Sequence, residues 1–401
     1  MIKRELFLQK IRPFIATDVI KVITGVRRCG KSVLLEQIQE ELRTRDLQAR
    51  IVHLRLDDAE NKRFLTKNVL YEHLHKILQD AGTEKVYLFL DEIHDVEDWE
   101  TAVNSLRMRP NADIYITGSN SQLLSGELAT YLTGRYVEIK MTPFSFAEFV
   151  TAAREFFPQE DIPQLFNRYL VGGGFPFLTQ IGYDESAGRT YLQDLYGAIL
   201  LKDIVRRKEI RDVDLLERIV RYVLTEVGHT FSARRIVNFL KSEQRTTSVE
   251  TVLNYLTACE EAFLISRVKR EDLLGKRILA VDEKFYVTDT GLRNTIVDGQ
   301  LRRDVDQLLE NVVYFEFLRR GYNINIGRIK NQEVDFIGVR GTERVLVQVA
   351  FTVGDAATRE REYGALEAVN SNDRKLLLTL DRLDMSDGVI RHQYIPDFLL
   401  E

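Results

Sequence analysis

Cysteine is nearly absent: the 401 residues contain only Cys29 and Cys259. Two cysteines cannot build a disulfide framework, and their scarcity suits a reducing compartment. Histidine is sparse too, six scattered residues with no cysteine cluster, which argues against a structural zinc site. Seven prolines and 23 glycines leave no room for long low-complexity linkers. No apolar run is long enough for a signal peptide or a membrane span, and the chain opens on charge in Met1-Ile2-Lys3-Arg4-Glu5. A large excess of one charge is missing as well. The 56 Lys and Arg against 61 Asp and Glu give a net −5, which excludes a uniformly basic nucleic-acid coat but not a local basic face. What is present is 44% hydrophobic and 29% charged residues in a chain too long for one ordinary core. The expectation is a cytoplasmic protein of two or three domains, metal-poor apart from metal carried in by a substrate.

The first third alternates apolar runs with helical patterns. Val19 to Thr24, Ala49 to Leu56, Val86 to Leu90 and Asp113 to Thr117 read as strands. Lys31 onward and Tyr71 to Leu78 read as helices. Near-continuous apolar strands separated by helices imply an α/β fold with a parallel sheet covered on both faces. After Pro143 the character changes. Phe144 to Arg154 and Gln164 to Leu170 look helical, Gly172-Gly173-Gly174-Phe175-Pro176 marks a junction, and residues 185 to 265 read as successive helices. Strands return at Ile265 to Lys269, Lys284 to Thr288, Asn323 to Ile326, Glu333 to Val339 and Val345 to Phe351. The expected division is 1–143, a helical lid and linker at 144–200, a third part at 201–295 and a last part at 296–401.

Gly25-Val26-Arg27-Arg28-Cys29-Gly30-Lys31-Ser32 fits G-x-x-x-x-G-K-[ST], between an apolar strand and an amphipathic helix. Gly25 and Gly30 let the backbone wrap so that successive N–H groups, those of Arg28 and Cys29 among them, point at phosphate oxygens. The helix N-terminus adds a favourable partial charge. Lys31 would reach the β- and γ-phosphates of ATP, and the Ser32 hydroxyl would ligate Mg²⁺. Cys29 is read as a small filler residue rather than a redox switch. Val86 to Leu90 ends in Asp91-Glu92, at the edge where a parallel sheet presents ligands. Asp91 would hold the Mg²⁺ shell and Glu92 would polarise the attacking water. Ser119 and Asn120, after the next strand, both qualify to sit between these acids and the γ-phosphate. Gly134-Arg135 follows. On residue type alone, a surface salt bridge suits Arg135 better than catalysis.

The run Thr117-Gly118-Ser119-Asn120-Ser121, Leu132-Thr133-Gly134-Arg135 and Pro143-Phe144-Ser145-Phe146-Ala147-Glu148-Phe149 resembles bacterial and archaeal AAA+-type P-loop ATPases with a C-terminal DUF4143 domain. Gly172 to Pro176, Leu201-Lys202-Asp203-Ile204-Val205-Arg206-Arg207 and Glu333-Val334-Asp335-Phe336 extend the resemblance over nearly the whole chain. It implies an ASCE-type core in which another strand separates the Asp91-Glu92 strand from the phosphate-loop strand. It also implies that Arg135 is an arginine finger.

Asp214 to Glu226, Ala233 to Leu240 behind Ser232, and Val249 to Phe263 behind Ser248 read as three helices. With the strands at 265–269 and 284–288 they make a winged helix-turn-helix. Arg234, Arg235, Lys241 and Arg245 near the turn, and Arg267, Lys269 and Arg270 on the wing, are candidate phosphate contacts. A protein-interaction module with a solvated charged face fits the same pattern. In 296–401, Glu310, Asp335 and Gln348 resemble the PD-(D/E)XK nuclease layout, in which a helix acid, a strand acid and an acid-x-lysine hold Mg²⁺ and activate water. Here Gln348 replaces the second strand acid and Ala350 the lysine, so the reading favours a retained fold without cleavage. Lys330, Arg359 and Arg361 are the obvious stand-ins for the lysine. The expected activity is Mg²⁺-dependent ATP hydrolysis by a homo-oligomeric ring, a hexamer among the options, acting on DNA and not on a membrane. The alternatives are a nucleotide-gated switch that captures a protein partner and an ATP-driven nuclease.

Overall fold

The computed structural model describes residues 1–121, 134–273, 275, 277–297, 304–329 and 332–401, and of 277–282 the backbone alone. Leu132, Thr133 and Lys330 lie outside the described residues. The chain packs as two compact units, Met1–Pro143 with Glu261–Phe263, and Phe144–Glu260 with Leu264–Glu401.

In the first unit β1 (Ile20–Gly25), β2 (Arg50–Arg55), β3 (Val86–Asp91), β4 (Ala112–Gly118) and β5 (Tyr136–Met141) form a parallel sheet in the order β2-β3-β4-β1-β5. β4 therefore separates β3 from β1. Every residue of β1, β3 and β4 is buried, the signature of strands covered on both faces. The edge strand β5 escapes the sequence reading because Tyr136-Val137-Glu138-Ile139-Lys140-Met141 alternates polar and apolar residues, whereas the other strands are continuous apolar runs. Four helices follow the strand pattern: α1 (Glu5–Ile11), α2 (Lys31–Arg45), α3 (Lys67–Asp80) and α4 (Trp99–Arg107). Leu70, Leu74 and Leu78 of α3 and Trp99, Val103 and Leu106 of α4 recur at helical spacing and bury against one sheet face. Each such burial contributes about 1.5–3 kcal/mol. Inside the sheet, Lys21 and Asp113 form a fully buried ion pair. Asp113 also accepts from the Ala16 N–H (2.8 Å) and the Tyr115 hydroxyl (3.0 Å), so its carboxylate is well satisfied.

The second unit begins with α5 (Phe146–Ala153) and α6 (Ile162–Gly172). Both start on capping boxes, Ser145 with Glu148 and Asp161 with Gln164. Next, α7 (Glu185–Ala198) widens into a π-helical segment over Ile199–Val205. Then α8 (Val213–Thr225), α9 (Ala233–Ser242) and α10 (Val249–Glu261) give the three expected helices, α9 capped by Ser232. Strands β6 (Thr230–Phe231), β7 (Ile265–Asp272) and β8 (Arg277–Val287) accompany these helices, with β8 antiparallel to both others.

The β7–β8 pair does not stand free. It continues into β9 (Asn323–Ile329), β10 (Gln332–Arg340), β11 (Glu343–Val349), β12 (Arg374–Thr379) and β13 (Ile390–Tyr394) as one eight-stranded sheet, ordered β13-β12-β11-β10-β9-β7-β8-β6. The joint is parallel pairing of Arg270–Asp272 with Ile326–Arg328. The expected borders at 200 and 295 thus fall inside one compact unit. Helices α11 (Thr290–Ile296), α12 (Val305–Arg319), α13 (Ala356–Glu367) and α14 (Ile395–Leu400) belong to it too.

The glycine run at 172–174 lies within this unit as a tight clasp. A Cβ at Gly173 (φ 78°) would sit 2.1 Å from Asp289 Oδ1, and one at Gly291 would sit 2.0 Å from the Gly172 carbonyl oxygen. Asp289 accepts from the Gly174 N–H at 2.7 Å and caps α11 through the Leu292 N–H at 2.9 Å. Burial pushes its carboxyl up to about 6. A carboxyl raised in the fold favours the folded state below its unfolded pKa, and that advantage fades as pH climbs through the folded value. The change amounts to about 3 kcal/mol between about pH 4 and 6. Thermal melting of Asp289→Asn against wild type over that range should show the wild type losing ground as pH rises. Parallel pH curves would exclude the effect.

Candidate active site

β1 ends at Gly25, and the chain turns through Val26–Gly30 before α2 starts at Lys31. Gly25 (φ 147°), Arg28 (φ 67°) and Gly30 (φ 104°) take the left-handed region. At Gly25 a side chain is impossible, because its Cβ would lie 2.4 Å from the Met141 carbonyl oxygen. A turn of this kind at a helix head is an anion cradle. Lys31 is buried in it, donating to the carbonyls of Gly25 (3.1 Å) and Val26 (3.4 Å), with Nζ 3.7 Å from Glu92 Oε1. Ser32 stands in the first turn of α2. Cys29 is fully buried and burial pushes its thiol up, which removes the thiolate a redox switch needs.

The acids arrive from β3. Asp91 is buried and accepts from the Thr117 hydroxyl. Glu92 leaves the strand in a left-handed conformation (φ 52°), and its N–H donates to Thr117 Oγ1 at 2.9 Å. That bend swings its carboxylate toward the loop. Ser119 Oγ donates to Glu92 Oε2 at 3.4 Å, and His94 Nδ1 lies 3.2 Å from the same oxygen. Asn120 is buried next to Ser119 in the chain. Lys31, Glu92 and Ser119 thus converge, with Asp91 tied to them through Thr117. Ser32 and Asp91 offer hard oxygen donors of the kind Mg²⁺ prefers, and two adjacent carboxylates call for a cation.

Three residues of this site have no site role in the sequence reading. Thr117 bridges Asp91 and Glu92, and its signal is a hydroxyl at the end of the strand beside β3. His94 flanks Glu92. Arg4, fully buried behind the loop, donates to the carbonyls of Cys29 (2.9 Å) and Thr142 (2.8 Å). Nothing in its local sequence marks an N-terminal arginine for that place.

Arg135 lies elsewhere. β1 and β5 run parallel with Ile20 opposite Tyr136 and Gly25 opposite Met141. Arg135 therefore precedes β5 at the sheet end away from Gly25, about 17–20 Å from the loop at strand spacing. Its guanidinium donates to Asn104 Oδ1 at 3.4 Å.

A protein of Haemophilus influenzae, described only as uncharacterized, is 37% identical over 404 residues, covering 100% of this chain and 99% of that protein. An uncharacterized protein of Methanocaldococcus jannaschii is 31% identical over 361 residues, 87% of this chain and 78% of its own. The chain belongs to their family. Residues 17–150 match a family model described as an AAA domain (AAA_14). The Walker-type ATPase of Pyrococcus abyssi shares the fold at a TM-score of 0.53 and 14% identity, over 74% of this chain and 96% of that one. The N-terminal unit thus has the fold of an AAA-type P-loop domain. Residues 163–305 match a domain of unknown function (DUF8612), where the sequence resemblance points to DUF4143. No helix among the described residues is long and apolar enough to cross a membrane.

In the second unit the candidate DNA contacts are mostly engaged. Arg235 pairs with Glu226 (3.5 Å), Arg245 with Asp214, and Arg267 with Glu260 (2.7 Å) and Glu283 (3.5 Å). Arg270 is buried, which corrects its placement as a surface contact: it sits at the β7–β9 joint. Arg234, Lys241 and Lys269 are exposed. Glu310 of α12 and Asp335 of β10 both lie against one ammonium, and Gln348 of β11 accepts from the Asp335 N–H at 2.7 Å. Of the expected stand-ins, the two described ones do not face these acids. Arg359 pairs with Asp387 (3.5 Å) and Arg361 with Glu362 (2.7 Å). Among the described residues, the lysine that reaches the acids is Lys284, on strand β8.

Proposed function

We propose that this chain is a Mg²⁺-dependent ATPase that works as a homo-oligomer, with Arg135 acting on the nucleotide of a neighbouring copy and the second unit gripping the partner on which hydrolysis acts. The observation that carries the hydrolytic part is the convergence of Lys31, Glu92 and Ser119 at the mouth of the phosphate loop. Lys31 meets the phosphates, Glu92 orients water and accepts its proton, and Ser119 holds the Glu92 carboxylate. Ser32 and Asp91 would hold Mg²⁺, which would supply positive charge against the phosphates.

Two partner classes compete. DNA would be held by Arg234, Lys241 and Lys269. A protein partner is favoured by two observations. Arg235 and Arg245 already pair with acids, and α10, the third helix of the winged-helix arrangement, has no Lys or Arg among Val249–Glu261. A groove-reading helix without a cation gains nothing from phosphate contact. Duplex DNA binding measured from 50 to 200 mM salt should therefore remain in the non-specific range, weaker than about 10⁻⁶ M at physiological salt. Removing Arg234 and Arg235 together should leave the salt slope unchanged. Tight binding whose slope flattens in that double variant would restore DNA as the partner of this surface.

A further inference from the structure

The nuclease-like centre lacks its lysine at position 350 for a reason visible in the packing. Ala350 is buried in an apolar cluster with Ile337, Leu346, Val353 and Leu377. A lysine there would have to abandon its charge or the core. The cation arrives from another element. Lys284 Nζ lies 2.6 Å from Glu333 Oε1, 3.1 Å from Glu310 Oε2 and 3.5 Å from Asp335 Oδ1.

We propose that the Lys284 ammonium takes the place of the divalent cation in this nuclease-like centre, so that the acids are held by an internal charge and not by a metal ion. An ammonium has three N–H donors, and three carboxylates face it. Other acceptor positions at the centre are also taken. Glu310 Oε2 accepts from the Tyr286 hydroxyl (3.0 Å), and Asp335 Oδ2 accepts from the Val349 N–H (2.9 Å). Gln348, in the place of the second strand acid, spends its carbonyl on the Asp335 N–H (2.7 Å) and its amide on Glu362 (2.5 Å). An amide that both donates and accepts ties β10 to α13, whereas a carboxylate there would be free to coordinate. Burial works against the ammonium, but the surrounding carboxylates outweigh it and hold Lys284 protonated well above its ordinary range. The donor set does not fit Mg²⁺ while Lys284 is in place, and no hydrolytic step runs through this centre.

The test uses Mn²⁺ alone, on the full nucleotide-free chain, followed by calorimetry and by melting. Wild type, Asp335→Asn and Glu310→Gln should take up Mn²⁺ identically. Lys284→Ala should melt lower than wild type, gain one further Mn²⁺ per chain and recover stability with it. Lys284→Ala/Asp335→Asn should lose that gain. A Mn²⁺ bound by wild type but absent in Asp335→Asn and Glu310→Gln would overturn the proposal and make Lys284 the neighbour of a metal. A folded Lys284→Ala that takes up no further Mn²⁺ would overturn it equally. If Lys284→Ala does not fold, the wild-type comparison with the two acid variants still decides.

Discussion

Glu92→Gln should bind ATP as the wild type does and turn it over about 10²–10⁴-fold more slowly, the usual worth of a positioned general base. Glutamine preserves the shape of the side chain and its acceptor toward Ser119 Oγ. What it loses is the ability to take a proton from water and the negative end opposite Lys31. Lys31→Ala should fail one step earlier, at binding, because it removes the buried ammonium that sits over the carbonyls of Gly25 and Val26. Nucleotide binding by fluorescence and phosphate release in single turnover separate the two defects. Equal turnover in wild type and Glu92→Gln would remove Glu92 from the assignment and leave His94 or a bound water to orient the attack.

Arg135→Ala should retain ATP affinity and lose about 10³–10⁵-fold in turnover, the range seen when an arginine finger is withdrawn. On the proposed role the effect is intermolecular. Arg135 precedes β5 at the end of the sheet away from Gly25, so it cannot reach the nucleotide of its own copy. Its contact with Asn104 Oδ1 holds it at the surface of the first unit. Mixing Arg135→Ala with Glu92→Gln subunits should therefore recover activity that neither has alone, since some interfaces regain an intact Glu92 facing an intact arginine. Full activity in Arg135→Ala alone would refute the role.

The fold of the first unit and its loop are legible because their signals are local. Gly25, Gly30, Lys31 and Ser32 lie in one turn, and Asp91-Glu92 end a run of apolar residues whose burial on both faces enforces the pattern. Strand β5 was hidden because an edge strand alternates and offers no apolar run. Thr117, His94 and Arg4 were hidden for a different reason: their roles depend on which strand or helix lands beside which, and a single hydroxyl, imidazole or guanidinium carries no spacing. Lys284 is the extreme case. It is 26 residues from Glu310 and 51 from Asp335, and only the register of β7, β8 and β9 brings it to them. The stand-ins that the sequence offers are Lys330, Arg359 and Arg361, and the two arginines pair instead with Asp387 and Glu362.

The pairing of Arg270–Asp272 with Ile326–Arg328 also governs how the second unit can come apart. A protein whose β6–β8 strands moved as a separate body would need a seam, and here the seam would open a sheet in its middle and leave two raw edges. Amide protons along β7 and β9 should accordingly exchange with solvent only when the whole sheet unfolds, as one cooperative foldon. A fragment ending near residue 295 would present β7 as an unpaired edge and Lys284 as a buried charge without its acids. Its natural outcomes are aggregation or strand exchange with a second copy.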